Sequence, residues 1–183
     1  MEPSDGAREG GSGQASGVRP GVLVRQPGSG VDRVMARFAL NLKVQGVRVA
    51  GLLQPGGAGA MDLLDIASGR LVDIAQRLGG GSVSCRLDTA ALADASGALR
   101  RGIAEGADLL VYNKFGPAEA QGGGLAGEFL EALSEGFPVL TSVAERLLDD
   151  WARFIGAPAT CLDPDTGSLE AWWRAQSETN RRG

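Results

Sequence analysis

The chain has 183 residues, 43% hydrophobic and 22% charged, with 18 Lys+Arg against 22 Asp+Glu for a net charge of −4. That composition suits one globular domain with a real core, while the acidic balance and 5% aromatic content argue against a nucleic-acid surface. Histidine is absent and the two cysteines are Cys85 and Cys161, which removes imidazole metal sites, His-based triads and a disulfide framework.

Residues 1–19 are rich in Gly and Ser with almost no large apolar side chain, so they are expected to be a disordered arm. No apolar stretch follows its positive charges, as a secretory leader would need, and no apolar run reaches the roughly 18 residues of a membrane helix. The expected location is therefore the cytoplasm, with no membrane partner. Gly21 to Arg25 reads as a strand, and Gln26-Pro27-Gly28-Ser29-Gly30 as a turn. Asp32 to Gln45 carries Val34, Met35, Phe38 and Leu42 at helical spacing, with Asp32 at its start and Gly46 as its stop. Val47 to Leu53 is the next strand, closed by Gln54-Pro55-Gly56-Gly57.

Met61 to Ile66 and Arg70 to Gln76 flank Ala67-Ser68-Gly69 as a β-hairpin. Gly79-Gly80-Gly81 is a joint, Ser82 to Leu87 is extended, and Asp88 is the N-cap of a helix from Thr89 to Glu105. The strand Asp108 to Tyr112, a helix from Leu125 to Glu135, the strand Phe137 to Val143 and an amphipathic helix from Ala144 to Ile155 follow. A strand at Ala159 to Leu162 and a helix from Ser168 to Gln176 close the domain. Helices alternating with apolar strands predict an α/β fold: three layers, a mostly parallel sheet with helices on both faces, and an inserted hairpin. The expected domain spans residues 20–176, followed by a polar tail at 177–183.

In such sheets ligands bind at the carboxyl ends of strands. Gln26, Gly28, Ser29 and Gly30 lie between the first strand and helix, where backbone N–H groups and a helix start attract anions. The full phosphate loop, G-x-x-x-x-G-K-[ST], is not met, because Asp32 and Arg33 close the loop instead of Lys and a hydroxyl. An ordinary strand-to-helix turn is the plainer alternative. The second cluster is Asn113-Lys114-Phe115-Gly116-Pro117-Ala118-Glu119. Lys114 is one of two lysines among sixteen arginines, and a compact ammonium with a tunable pKa invites a chemical reason. Lys114 and Glu119 are the candidate catalytic pair, with Glu119 as base. The third cluster is Ser84-Cys85-Arg86-Leu87-Asp88, in which Arg86 and Asp88 are better ligand groups than Cys85 is a nucleophile. Gln54 and Gln76 end predicted strands and are candidate neutral hydrogen-bonding groups. Gly122-Gly123-Gly124 is a candidate lid, with a plain flexible loop as the simpler reading.

The stretch from Asp108 to Val143 resembles the corresponding part of a small P-loop nucleoside-triphosphatase family, in which an apolar strand ends in an acidic pair followed by Gly, a spacer and Glu. Asn113 and Lys114 fall on the acidic pair, Gly116 on the Gly and Glu119 on the Glu. The hairpin around Ala67-Ser68-Gly69 is similar to that family's inserted hairpin. A nearer likeness, over most of residues 20–165, is to a bacterial family known only as a domain of unknown function. It rests on Cys85-Arg86-Leu87-Asp88, Asn113-Lys114-Phe115-Gly116 and the strand Pro138 to Val143. Members of that family are sometimes associated with molybdate-transport genes. The resemblance implies a reworked P-loop pocket, stripped of its Lys, its metal hydroxyl and its metal carboxylate, that binds an anionic small molecule, a nucleotide or an oxyanion such as molybdate, without efficient hydrolysis. No metal site is expected, and the cofactor is left open. A weak NTPase or phosphoryl-linked enzyme of cofactor metabolism is the first alternative. A non-catalytic interaction module carrying Trp172-Trp173 near its end is the second. Homo-oligomerisation stays open.

Overall fold

The computed structural model describes residues 19–54, 62–73 and 89–180. The expected arm up to residue 18, the 79–81 joint, the extended segment 82–87 and the Asp88 cap lie outside the described residues, as do Gln76, Cys85 and Arg86. In chain order the elements are β1 (Gly21–Arg25), α1 (Val31–Val44), β2 (Val49–Leu53), β3 (Asp62–Asp65), β4 (Leu71–Asp73), α2 (Thr89–Ala104), β5 (Leu109–Phe115), α3 (Pro117–Ala120), α4 (Ala126–Ser134), β6 (Val139–Ala144), α5 (Leu148–Ile155), β7 (Thr160–Leu162) and α6 (Thr166–Asn180).

Among the described residues one sheet runs in the order β4-β3-β2-β5-β6-β1-β7. β2, β5, β6, β1 and β7 pair in parallel, and the β3–β4 hairpin adds to the β2 edge antiparallel. β1 and β2 are joined by α1 yet separated by β5 and β6, so the first loop lies one strand in from the β7 edge of the sheet. Period-2 alternation sorts the strand side chains onto two faces. Val22, Ala50, Leu52, Leu110 and Tyr112 pack with Leu99 of α2, Phe129 of α4 and Trp151 of α5. Leu23, Val49, Leu53, Leu109 and Val111 pack with Met35 and Phe38 of α1 and Leu169 and Trp172 of α6. The result is a three-layer α/β architecture of the P-loop NTPase-like kind. Each fully buried large apolar side chain contributes about 1.5–3 kcal/mol.

Helix α1 forms because Val31, Met35, Phe38, Ala39 and Leu42 fall on one buried stripe. Gly51 lets β2 approach β5 closely: at its φ of +117° a Cβ would sit 2.0 Å from the Val111 carbonyl oxygen.

Three elements differ from the sequence expectation. First, β5 runs through Asn113, Lys114 and Phe115 instead of ending at Tyr112. Its register against β6 steps from Tyr112↔Thr141 to Phe115↔Val143, three residues against two. This bulge returns Phe115 to the face of Tyr112. There the Phe115 ring meets Trp151 edge-on, with centroids 5.2 Å apart, and fixes the strand end. Second, the helix expected from Ala144 begins as a 3-10 turn, Glu145–Leu147, before α5. Third, α6 runs into the expected polar tail as far as Asn180. At the other end, the Arg19 N–H donates to Gln176 Oε1 (3.1 Å) and Trp172 Nε1 donates to the Arg19 carbonyl (3.1 Å), so Arg19 joins the domain and not the arm.

Candidate functional site

The carboxyl ends of β1, β5 and β6 bring the site residues together. β1 ends at Arg25, and the chain turns through Gln26 to Gly30 into α1. The Ser29 N–H donates to the Gln26 carbonyl (3.1 Å), and the Gln26 N–H reaches Ser29 Oγ (3.4 Å). Gly28 and Gly30 take φ of 75° and 65°, the left-handed region in which only glycine is unstrained. Gly30 is the N-cap of α1 and brings no side-chain acceptor to it, so the helix opens without a side-chain cap. An open hollow of about 340 Å³ lies here, lined by Arg25, Gln26, Ser29, Asp32 and Arg146 among others.

The charged residues of this lining are two arginines, Arg25 and Arg146, and one carboxylate, Asp32. Arg25 Nη2 lies 3.2 Å from Asp32 Oδ2, both side chains about a quarter exposed (29% and 24%). Asp32 Oδ1 is buried and makes no hydrogen bond. Gln26 Nε2 donates to Glu145 Oε2 at 3.3 Å, which ties the loop to the 3-10 turn that carries Arg146. Hollows of similar size lie between α1 and α6, beside Phe38 and Trp173 (about 330 Å³), and next to Lys43 and Ala67 (about 370 Å³). Size does not single out the loop hollow. Its position at the strand ends and its cationic lining do.

Lys114 stands beside this hollow and not in its wall. Its Nζ reaches Gln54 Oε1 at 3.5 Å, a long and weak contact. Partial burial, and then the charge of Arg25, push the ammonium below the ordinary lysine range, while Asp32 and Glu119 pull the other way. Lys114 is thus electrically joined to the two charged groups of the loop.

Asn113 is buried beneath the strand end. Its Oδ1 accepts from Ser142 Oγ at 3.3 Å, and its Nδ2 makes no hydrogen bond. Glu119 is committed to the backbone: Oε2 accepts from the Gly116 N–H (2.9 Å) and Oε1 from the Leu125 N–H (3.2 Å). Both oxygens brace the turn between β5 and α4. The glycine run 122–124 is tied down too, with the Gly122 N–H on the Glu119 carbonyl (3.0 Å) and the Gly123 N–H on that of Ala118 (2.8 Å). A carboxylate bound twice by backbone is poorly prepared to act as a base.

Of the residues singled out from sequence, Gln26, Gly28, Ser29 and Gly30 line the hollow, while Lys114 and Gln54 contact each other outside that lining. Gln76, Arg86 and Asp88 fall outside the described residues. Sequence reasoning missed Arg25 and Arg146 as lining groups. The signal was available, since Arg25 is the last residue of β1 and Arg146 follows closely on the end of β6.

A Mg²⁺-nucleotide is what the fold type implies, and the donors among the described residues do not fit it. The end of β5 carries Asn113 and Lys114, and the loop brings one carboxylate, already paired with Arg25. Among the described residues no group of three or more Asp, Glu, Cys or His side chains converges on one point.

Residues 21–172 match the family described as protein of unknown function, DUF2478. The chain belongs to that family. It is also 39% identical, over 170 residues and 90% of its length, to the molybdenum import ATP-binding protein ModC 2 of Bradyrhizobium diazoefficiens. The match spans only 19% of that protein's own length. No solved structure matches the chain. Among the described residues no helix is long and apolar enough to cross a membrane.

Proposed function

We propose that this domain binds an anionic small molecule, a nucleotide or a tetrahedral oxyanion, in a degenerate phosphate loop at the end of β1, without efficient hydrolysis. The observation that carries this is the hollow at the glycine loop, which Arg25 and Arg146 line beside a helix start without a side-chain cap. Lys114 adds a third positive charge nearby. Hydrolysis is disfavoured because phosphoryl transfer depends on charge neutralisation and a positioned nucleophile. Here the loop lysine and metal carboxylates are missing, and Glu119 is held by the backbone.

The relative's name supports a second, compatible reading. A domain that matches one-fifth of a molybdenum import ATP-binding protein fits a sensing part that works beside a transport ATPase. Adding this chain, with and without molybdate, to such an ATPase and measuring its turnover tests that reading; an unchanged rate in both cases counts against it.

The primary test is calorimetric titration of the full chain with ATP, inorganic phosphate and molybdate. Heat is expected with at least one, and Arg146→Ala is expected to weaken that binding by about tenfold, the scale of one charge-assisted contact. No heat from folded protein with any of them refutes the proposal.

A further inference from the structure

The loop hollow has a feature that a pure anion site lacks. Asp32 sits in its wall, in the first turn of α1. A carboxylate accepts up to about four hydrogen bonds. Asp32 takes one, from Arg25 to Oδ2; Oδ1 is buried without a partner, so the capacity left to a ligand in the hollow is that of Oδ2, on a side chain 24% exposed. The carboxylate therefore keeps unspent acceptor capacity beside a hollow whose other charged lining groups are guanidiniums. Toward a bare anion this is repulsion without return. Toward a ligand oxygen that carries a proton it is a charge-assisted hydrogen bond.

We propose that Asp32 makes this hollow selective for a phosphoryl group that still carries a proton, against fully ionised tetrahedral oxyanions. Inorganic phosphate retains at least one proton near neutral pH, and a phosphomonoester is partly protonated there, since its second pKa is near 6. Sulfate and molybdate carry none at that pH. The guanidinium groups of Arg25 and Arg146 hold the unprotonated oxygens, and Asp32 accepts from the protonated one. Arg25 serves both sides, because its bond to Asp32 also fixes the carboxylate's orientation. The inference rests on the proposed anion site and narrows its ligand to the phosphoryl class. It also separates the molybdenum association of the relative from the ligand of this hollow.

The test is calorimetry on the full chain at pH 7 with inorganic phosphate, sulfate and molybdate, for the wild type and for Asp32→Asn. Wild type is expected to bind phosphate at least about tenfold more tightly than either other anion, the worth of one well-placed hydrogen bond. Asp32→Asn is expected to close the gap, chiefly by gaining affinity for sulfate and molybdate. Wild-type binding of sulfate or molybdate as tight as that of phosphate overturns the proposal, whatever the variant does. So does a preference for phosphate that survives Asp32→Asn. Heat with no anion at all removes the site itself, an outcome distinct from binding without discrimination.

Discussion

Two aspartates, Asp65 at the hairpin and Asp32 at the glycine loop, show how the same side chain is used in opposite ways. Asp65 is 3% exposed. It accepts from the Ala67 N–H (3.0 Å), the Ser68 N–H (3.4 Å), Ser68 Oγ (2.6 Å) and Arg101 Nη2 (3.1 Å). Burial pushes its pKa up, but the bonds from Ser68, Ala67 and Arg101 outweigh burial and hold it below the ordinary carboxylate range. From the opposite face of the sheet Lys43 donates to the carbonyls of Ile66 and Ala67. The hairpin turn is clamped between α1 and α2, with its carboxylate fully used. Asp32 is partly exposed, takes one bond on Oδ2 and leaves Oδ1 buried without a partner. A saturated carboxylate holds the fold together, whereas in the proposed site the half-used Oδ2 is the oxygen a ligand would meet.

The largest expected effect tests the saturated side. Asp65→Ala removes a buried carboxylate that accepts four hydrogen bonds and is expected to cost about 3 kcal/mol in a urea unfolding experiment; a loss below about 0.5 kcal/mol would mean that the turn is held by something else. The same group sets a pH dependence. Its folded pKa lies below the unfolded value of about 3.9, so its stabilisation is complete well above that value and is lost as pH falls through the folded pKa. The stability gap between wild type and Asp65→Asn is therefore expected to be constant from pH 7 to about 5 and to shrink below about 4. A gap that widens on acidification contradicts the assignment.

Next in size, Lys43→Met removes the clamp from the α1 side and is expected to cost about 1 kcal/mol, read by the same unfolding curve. Glu119→Gln is expected to cost a similar ~1 kcal/mol and to leave anion affinity unchanged; a loss of affinity at constant stability would restore Glu119 to the site. The smallest effect on folding belongs to Asp32→Asn, within about 0.5 kcal/mol, because the Arg25–Asp32 pair is partly exposed and screened. A large loss of stability there would erase the contrast between the two aspartates.

Most of the fold was legible in the sequence because its signals are local. The short apolar run Val49 to Leu53, the apolar stripe of α1 and the Ala67-Ser68-Gly69 turn each name their element without long-range information. The bulge in β5 was not legible. It depends on the register of β6 and on Phe115 finding Trp151, contacts remote in sequence. The site was half legible for the same reason. The glycine loop announces itself by composition, but Arg146 reaches it only through the pairing of β6 with β1. Glu119 looked catalytic in a polar cluster, and only geometry shows both its oxygens bound to backbone.

The central claim is that the hollow at the end of β1 is where an anion binds. The most direct test is an NMR titration of the ¹⁵N-labelled full chain with inorganic phosphate, following the backbone amides. The account predicts that the largest saturable shifts fall on Gln26, Gly28, Ser29, Gly30 and Asp32, with smaller ones at Lys114 and Arg146. Shifts centred instead on the hollow of Phe38 and Trp173 or on that of Lys43 and Ala67, or no saturable shift at all, would contradict it.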